Sequence, residues 1–539
     1  MTKNPRLRDY AQTRRHVIVS HHVTFATLLF LFIIIPAALG AYIFFQGRQN
    51  RMQLALVAIA PLAIGVILWS ASYTIAASPL FDWNAGKIAP VVAMVKADRP
   101  DEARLYQDPS TGVMTGWIYG PVSALLFLPA AMFARPTDVI IAGAAINALV
   151  ALAPACWFHV RATSRQALPF AIFASAAFIV FCLQFESLRR AVFMIAPDGP
   201  ALGLATASCA MLIGRKRQLR HLVAAALLIS LSVWSKQTFL PAIVVAPVYL
   251  ALVDGRRAAM RYLVILLIVF AIVSIALIAS FDPSNMYFHM VTLPRLHPWR
   301  NAANGKLMAL VLGLRDLIID GALPLICVAI VIALGRKSLR DSAISSGWIM
   351  LPILAIALLP ASVLGYVKVG GFLNNFALTN FFVALTATVG AVVLTAPILR
   401  IAICATIFIY AANIAIVRRD LPAMASRIAN PYGNQQETAY RYVRQHPGVA
   451  YFPWNNLSTL LAERRLYHFE WGFPDRFDAG LKPSPQQIVD HVPPRVRIIA
   501  FPQVAQSEFA LSLFPFATAQ VTIDELPGFI AYTAPAKPK

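Results

Sequence analysis

The sequence predicts an α-helical, polytopic membrane protein with a small α/β domain at its C-terminal end. Two observations predict this class. Of the 539 residues, 59% are hydrophobic and only 13% are charged, and the apolar residues fall into long runs. This composition excludes a soluble globular chain, a disordered chain and a disulfide scaffold. The long runs end near residue 419, so we expect a transmembrane domain over residues 1–419 and a small soluble domain over residues 420–539.

The apolar runs give the number of spans. Since about 20 apolar residues cross a bilayer as one helix, we expect about 11–13 spans. A segment at 117–134 opens with Gly120-Pro121 and either crosses the membrane or lies in the outer interface as a re-entrant helix. The candidate spans cover residues 23–45, 53–77, 138–160, 168–185, 199–213, 221–236, 239–253, 262–281, 318–334, 347–366, 376–396 and 399–417.

The distribution of Lys and Arg predicts the topology. The net charge is +22, and clusters near residues 161–165, 215–220, 256–261 and 336–340 fall in every second loop. Basic loops stay in the cytoplasm. The alternating loops then face outward, together with residues 420–539. No nucleic-acid-binding motif interrupts the spans, so we do not expect nucleic acid as a partner. The outward loops cover residues 186–198, 236–239, 282–307 and 367–375.

The N-terminal end leaves two topologies open. If 117–134 is interfacial, the first outer loop covers about 78–137 and the N-terminal cations lie outside. If 117–134 spans, the N-terminus lies inside, as basic segments usually do, and 78–116 becomes cytoplasmic.

The C-terminal 120 residues alternate between helical and strand patterns. Residues 434–445 read as an amphipathic helix, and 449–452, 496–501 and 529–532 read as strands between Pro and Gly turns. There is no dinucleotide-binding, P-loop or nucleophile-elbow motif in this region.

Acidic side chains stand at the mouths of two spans. Asp82 follows an apolar run in Phe81-Asp82-Trp83-Asn84, and Asp198 precedes the span 199–213. Either one can be a helix N-cap. A carboxylate at the mouth of a span is nevertheless costly to bury and is a functional candidate by default. We interpret both as candidate catalytic residues.

Cations on outward loops predict a phosphate site. A Lys-Gln-Thr run interrupts an apolar hairpin, and its ammonium needs an anion such as a lipid phosphate. A snorkelling lysine is the alternative. Further arginines lie on outward loops, against the usual charge bias. The candidate phosphate-binding residues are Lys236, Gln237, Arg189, Arg190, Arg295 and Arg300.

The order of these motifs resembles the GT-C superfamily of polyprenyl-phosphate-sugar-dependent glycosyltransferases, in particular the protein-mannosyltransferase and aminoarabinose-transferase-like enzymes of the family 39 type. The resemblance is carried by the motif order and by the soluble C-terminal domain. The motifs are Phe81-Asp82-Trp83, Leu105-Tyr106, Tyr119-Gly120-Pro121, Pro197-Asp198 and Lys236-Gln237-Thr238-Phe239.

The resemblance implies a function. A sugar, hexosyl or pentosyl, would move from a polyprenyl phosphate to an acceptor hydroxyl at the outer face of a bacterial inner membrane, with the C-terminal domain periplasmic. The acceptor would be a glycan, a lipid or a protein. Asp82 and Asp198 would be the acids at the catalytic centre, and Tyr106 and Tyr119 would belong to the acceptor-side loop.

Two other functions remain open. A transporter or lipid flippase would use Asp198 and Lys236 as an intramembrane coupling pair. A polysaccharide polymerase or ligase usually has its large outer loop late in the chain, whereas here the long loop comes early. No His, Asp or Glu cluster has metal-ligand spacing and no cofactor is evident, although a divalent cation remains possible.

Overall fold

The chain is mostly helical in the computed structural model, as the sequence predicts. The predicted span 23–45 lies outside the described residues. The structure describes residues 49–110, 117–163, 168–214, 218–300, 305–335, 346–393, 397–468, 472–503, 514, 517 and 519–533.

The described residues of the first half of the membrane domain form ten α-helices. A 3₁₀ segment precedes α2 at Ser78–Leu80, another extends α3 over Leu128–Met132, and a third, Gln237–Val244, leads into α9. The helices are α1 (Gln49–Ala76), α2 (Asp82–Lys96), α3 (Pro121–Phe127), α4 (Pro136–Ala162), α5 (Leu168–Gln184), α6 (Glu186–Phe193), α7 (Asp198–Met211), α8 (Leu219–Ser235), α9 (Val245–Val253) and α10 (Arg256–Ser280).

The second half begins with two short helices, joined by a π-helical segment at Phe288–Thr292, and ends with longer ones. A 3₁₀ turn at Leu373–Phe376 leads into α16, and a π-helical segment at Asn413–Val417 follows α17. The helices are α11 (Pro283–Tyr287), α12 (Leu293–Leu296), α13 (Lys306–Asp320), α14 (Ala322–Gly335), α15 (Met350–Val367), α16 (Ala377–Val393), α17 (Pro397–Ala412) and α18 (Leu421–Ala429).

The spans differ in length more than the hydrophobic runs predict. Among the described residues, six helices are long and apolar enough to cross a membrane, or up to eight if two bent pairs each form one span. The pairs are α5–α6, bent by 104°, and α13–α14, bent by 68°. The expected count of about 11–13 spans, based on ~20 residues per crossing, therefore also includes shorter apolar helices. These are Pro121–Met132, Leu219–Ser235 and Gln237–Val253.

The segment 117–134 forms only a short helix. At ~1.5 Å per residue, Pro121–Met132 covers roughly 18 Å, well below a bilayer core of about 30 Å. The helix is shorter than one crossing of a bilayer core, and a first outer loop over about 78–137 stays a prediction.

Burial separates a central helix from peripheral ones. In the span Leu373–Val393, 94% of the most apolar 18-residue stretch is buried inside the bundle, whereas in α10 only 6% of the corresponding stretch is buried. Small residues allow close packing inside the bundle. A Cβ at Gly203 of α7 would lie 1.9 Å from the carbonyl oxygen of Val150 in α4, so only glycine fits there.

After α18, the described residues of the soluble domain form four further helices and a four-stranded mixed sheet. Asn434 caps α19 by accepting a hydrogen bond from the backbone N–H of Glu437 at 3.1 Å. The strand order is β1-β2-β4-β3, with β1 parallel to β2 and the other pairs antiparallel. The predicted helix and three strands match α19, β1, β2 and β4. The elements are α19 (Gln435–Gln445), β1 (Ala450–Tyr451), α20 (Asn456–Glu463), α21 (Gly472–Asp478), α22 (Pro485–Asp490), β2 (Ile498–Pro502), β3 (Ala519–Val521) and β4 (Phe529–Thr533).

The soluble domain packs directly onto the membrane domain. Leu457 and Leu460 of α20 share a buried apolar cluster with Ile88 of α2. The buried carboxylate of Glu437 accepts a hydrogen bond at 2.9 Å from the guanidinium of Arg135, the residue directly before α4. Apolar burial and a charged contact therefore both hold this domain over the first outer loop.

The loops that the charge pattern assigns to the outer side of the membrane contact one another in the fold. Gln237 Nε2 donates to the carbonyl oxygens of Ile118 at 2.9 Å and Met290 at 3.0 Å. At the other end of α4, Arg161 donates to the carbonyl oxygen of Ile213 at 2.7 Å. The outward loops and the soluble domain therefore surround one end of the bundle.

Candidate functional site

A buried ion pair lies where α7 begins. Asp198 Oδ1 accepts a hydrogen bond from Lys236 Nζ at 2.6 Å, and Oδ2 accepts one from Asn374 Nδ2 at 3.0 Å. Lys236 Nζ also donates to Asn375 Oδ1 at 3.1 Å. The side chains of Asp198 and Lys236 are 0% and 3% exposed. Asp198 therefore does not act as an N-cap, and Lys236 does not snorkel to the interface.

The amide partners of this pair were missed by the sequence reasoning. Asn374 and Asn375 lie in the 3₁₀ turn Leu373–Phe376, just before the buried helix α16. They carry no charge, so the search for titratable residues overlooked them. Two consecutive amides at the entrance of an apolar span were the available signal, because such groups need hydrogen-bond partners when buried.

Asp82 belongs to a segment that contacts the residues leading into Asp198. It is the first residue of α2, half-buried, in the position that the apolar run predicts. Two residues further on, Asn84 donates to the carbonyl oxygen of Ser78 at 2.8 Å and accepts from the backbone N–H of Ile195 at 2.8 Å. This one side chain ties the start of α2 to the segment that leads into α7.

An open crevice connects the two acidic segments. It contains about 340 Å³ of empty space, part of which is open solvent. The guanidinium of Arg190 lies 4.5 Å over the Phe372 ring, and its Nε is 2.5 Å from Glu186 Oε1. The crevice thus joins the residue after Asp82 to the amide that binds Asp198. Its lining residues are Trp83, Arg190, Met194, Ile195, Ala196, Phe372 and Asn374.

Tyr119 lies among four charged groups. The Nζ atoms of Lys87 and Lys236 are 4.8 Å and 5.9 Å from the centre of its ring. Burial raises the pKa of the Tyr119 phenol, and the negative charges of Asp198 and Asp475 raise it further. The phenol therefore stays protonated and can donate a hydrogen bond at neutral pH.

The soluble domain contributes one of these acids. Asp475 belongs to α21, and its carbonyl oxygen lies 3.1 Å from a ring nitrogen of His297, whose other ring nitrogen is 3.1 Å from the Val369 carbonyl oxygen. Burial raises the pKa of the Asp475 carboxyl, while the charges of Lys87 and His297 lower it. The sequence reasoning assigned no site residue to this domain, and no local pattern marks Asp475.

Gln237 and Tyr106 hold the loops together. The Tyr106 hydroxyl donates to the carbonyl oxygen of Tyr119 at 2.6 Å, and Gln237 makes the two loop contacts given above. The loop and the hairpin approach so closely that a Cβ at Gly120 would lie 1.8 Å from the carbonyl oxygen of Trp234. These side chains position the site without lining the crevice.

The predicted arginines are distributed over two places. Arg190 lines the crevice, and Arg189 forms an ion pair with Glu186 on the same helix. Arg295 is exposed on the loop 282–307. Arg300 donates to the carbonyl oxygen of Gly371 and lines a second crevice. In the part of the chain that the structure describes, no group of three His, Cys, Asp or Glu residues could hold a metal ion.

Comparisons with known proteins agree with this architecture. Residues 117–344 match the model of glycosyltransferase family 87. A crystal structure of ArnT from Cupriavidus metallidurans bound to undecaprenyl phosphate aligns with a TM-score of 0.51 at 12% identity, covering 91% of this chain and 99% of that one. The apo structure of the same protein aligns with a TM-score of 0.53 at 11% identity, covering 89% and 98%. No curated protein matches the chain in sequence.

The two alignments extend over nearly the whole of both chains, including the soluble domain, so the chain has the ArnT fold. The segment that is similar to glycosyltransferase family 87 contains Tyr119, Asp198 and Lys236. The chain is therefore a multi-pass membrane protein with the ArnT fold, and its segment 117–344 is similar to glycosyltransferase family 87.

Proposed function

We propose that this protein transfers a hexosyl or pentosyl group from a polyprenyl phosphate to an acceptor hydroxyl. The reaction takes place on the membrane face that carries the soluble domain, which we assign to the periplasmic side of a bacterial inner membrane. The observation that carries the proposal is the crevice lined by Trp83, which follows Asp82, and by Asn374, which binds Asp198, with the cation Arg190 and the Phe372 ring in the same wall. The ArnT neighbour named with bound undecaprenyl phosphate supports the choice of donor.

Asp82 acts as the general base. It accepts the proton of the acceptor hydroxyl while the acceptor oxygen attacks the anomeric carbon. The bond between that carbon and the donor's phosphate oxygen breaks, and the polyprenyl phosphate leaves with the bonding electrons. Attack opposite the leaving group inverts the anomeric centre. Asp82 is half-buried and directly precedes Trp83 of the crevice wall, which suits a base that meets a water-borne acceptor.

Positive charge stabilises the leaving phosphate. Preorganised charges are most effective where negative charge grows in the transition state. Arg190 lines the crevice directly and is the first ligand for the phosphate. Lys236 lies behind Asn374 and Asp198, and this fully hydrogen-bonded group keeps the crevice wall in a single geometry.

The acceptor enters from the soluble domain. The positive charge of Lys87 in α2 lowers the pKa of the Asp475 carboxyl in α21, and Lys87 Nζ lies 4.8 Å from the centre of the Tyr119 ring. A carboxylate accepts hydrogen bonds from hydroxyl groups, so we assign Asp475 to acceptor binding. The glycan, lipid or protein that carries the hydroxyl is chosen on this side of the site.

The test is sugar transfer by the purified full chain in nanodiscs, with labelled undecaprenyl-phosphate sugars and envelope extract as acceptor. Asp82→Asn should lower the rate by about 10²–10⁴-fold, the usual contribution of general base catalysis. Arg190→Gln should raise the donor concentration needed for half-maximal rate, whereas Arg189→Gln serves as the matched control. Asp475→Asn should raise the corresponding acceptor concentration, with Asp478→Asn as its control. If the Asp82→Asn variant and the Arg190→Gln variant each retained full turnover, the assignment would be overturned.

Translocation of a lipid-linked sugar is the second candidate. A buried carboxylate–ammonium pair inside a membrane bundle is typical of coupling sites in transporters, and Asp198–Lys236 has that form. Proteoliposomes with labelled donor on one side separate the two functions. Movement of the donor without transfer of its sugar would favour translocation, and transfer without movement favours the transferase.

A further inference from the structure

Four cations gather on one ridge beside the crevice of Arg300. Arg295 belongs to α12 and Arg300 to the loop after it, Lys306 begins α13, and Lys368 follows α15. We name this set the basic ridge. It lies on the side of the bundle that carries the soluble domain, because His297 of the same loop contacts Asp475.

Backbone pairing creates the basic ridge. Trp299 and Lys368 form an isolated antiparallel bridge. The backbone N–H of Arg300 donates to the Val367 carbonyl oxygen at 2.7 Å, and that of Val369 donates to the Pro298 carbonyl oxygen at 2.8 Å. Two loops separated by more than one span are thereby held in register. The cations of both loops therefore share one surface.

The surrounding sequence supplies little negative charge. Neither residues 283–315 nor residues 342–419 contain an Asp or a Glu. Asp316 faces the second crevice but already accepts hydrogen bonds from Arg315 at 2.8 Å and from the Tyr366 hydroxyl at 3.2 Å. Burial, and then the charges of Lys306 and Arg295, lower the pKa of Lys368. The cations thus repel one another, and an anion would relieve that repulsion.

An apolar surface adjoins the basic ridge. Lys306 Nζ lies 5.7 Å over the Trp299 ring, an aromatic anchor of the kind found at membrane interfaces. From Lys306 onward, α13 exposes Leu307 at 76%, Val311 at 54% and Ile318 at 49%. The cations at the start of α13 match the phosphate of a phospholipid, and the exposed apolar side chains of α13 match its acyl chains.

We propose that the basic ridge binds the phosphate of an anionic phospholipid, such as phosphatidylglycerol, whose acyl chains lie along α13. The site is separate from the crevice of Arg190 and Asn374, so the proposal goes beyond the transferase reaction. Phospholipid is the occupant we choose because the exposed apolar face of α13 begins directly at the cations, and a phospholipid carries its phosphate next to its acyl chains. The phosphate of a polyprenyl lipid has the same chemistry and is distinguished by the experiment.

The experiment measures lipid retention by the full-length protein. The protein is incubated with vesicles of phosphatidylcholine, with or without phosphatidylglycerol, and bound lipid is counted by native mass spectrometry. Lys306→Gln combined with Lys368→Gln should lower the preference for phosphatidylglycerol by roughly 30-fold, about fivefold for each cation near the surface. Lys482→Gln combined with Arg495→Gln removes the same charge from exposed positions on the soluble domain, and should leave the preference unchanged.

A charge-retaining variant guards against misfolding. Lys368 Nζ also donates to the carbonyl oxygens of Pro294 and Arg295, so its loss can disturb the loop. Lys306→Arg combined with Lys368→Arg should retain the lipid. An equal preference in the Gln variant and the control overturns the proposal. Displacement of phosphatidylglycerol from the ridge by undecaprenyl phosphate, at equal concentration, assigns the ridge to the donor instead and overturns the choice of phospholipid.

Discussion

Replacing one member of the Asp198–Lys236 pair should destabilise the protein strongly. Asp198→Asn leaves the Lys236 ammonium buried without its counter-ion, and Lys236→Met leaves the carboxylate with only Asn374. Both charged groups are almost fully buried, and the Nζ–Oδ1 distance is 2.6 Å. Removing one partner of such a pair typically costs about 3–5 kcal/mol, because the remaining charge is desolvated and uncompensated.

The double variant separates the pair from its surroundings. When Asp198→Asn and Lys236→Met are combined, no charge remains buried, so the loss should be smaller than the sum of the single losses. Contacting residues show coupling energies of about 0.5–3 kcal/mol in such cycles. For a pair as buried as this one we expect a value at or above the upper end of that range.

The assay is reversible unfolding in mixed micelles of dodecyl maltoside and sodium dodecyl sulfate, followed by tryptophan fluorescence. Asp490→Asn on the soluble domain is the control, because no charged partner holds that carboxylate among the described residues. Single losses below about 1 kcal/mol, the range of exposed pairs, or a double loss equal to the sum of the single losses, would refute the argument.

Two further predictions rest on burial. Gly120→Ala should lower the thermal unfolding temperature in detergent, because the added Cβ meets a main-chain carbonyl oxygen, whereas Gly65→Ala, with open space around its Cβ position, should be neutral or slightly stabilising. A similar result for both would contradict the close approach. Burial lowers the pKa of His289 from 6.5 to about 4. The folded state then binds fewer protons than the unfolded state, so stability of up to about 3 kcal/mol is complete above pH ~6.5 and is lost as the pH falls towards 4. Between pH ~4 and ~6.5, the free energy of unfolding of the His289→Gln variant should depend less on pH than that of the unchanged protein.

Local patterns predicted the elements and their ends. The apolar runs predicted the helical membrane bundle, and the positions of Asp82 and Asp198 at helix starts match α2 and α7. Strand-like segments between Pro and Gly turns predicted three of the four strands that the described residues form. β3 was missed because it has only three residues, none of them buried. The bends at α5–α6 and α13–α14 were also missed, since hydropathy measures composition and carries no information about direction.

The site itself required the tertiary structure. Asp82, Arg190, Lys236, Asn374 and Asp475 lie far apart along the chain, and none of them carries a local signal that specifies its partner. Among the sequence-predicted cations, Arg190 reaches the crevice, whereas Arg300 lies at a second crevice because its backbone pairs with Val367.

The sequence by itself determined that this chain forms a membrane bundle with a soluble domain, and where carboxylates and ammonium groups meet the ends of helices. Hydrophobic burial and helix periodicity act within one segment, so a linear pattern records them. Which charges pair, and which line a cavity, depends on distances between segments that only helix packing sets. Electrostatic and hydrogen-bond energies fall steeply with those distances, and for this reason the tertiary structure alone decided the chemistry of the site.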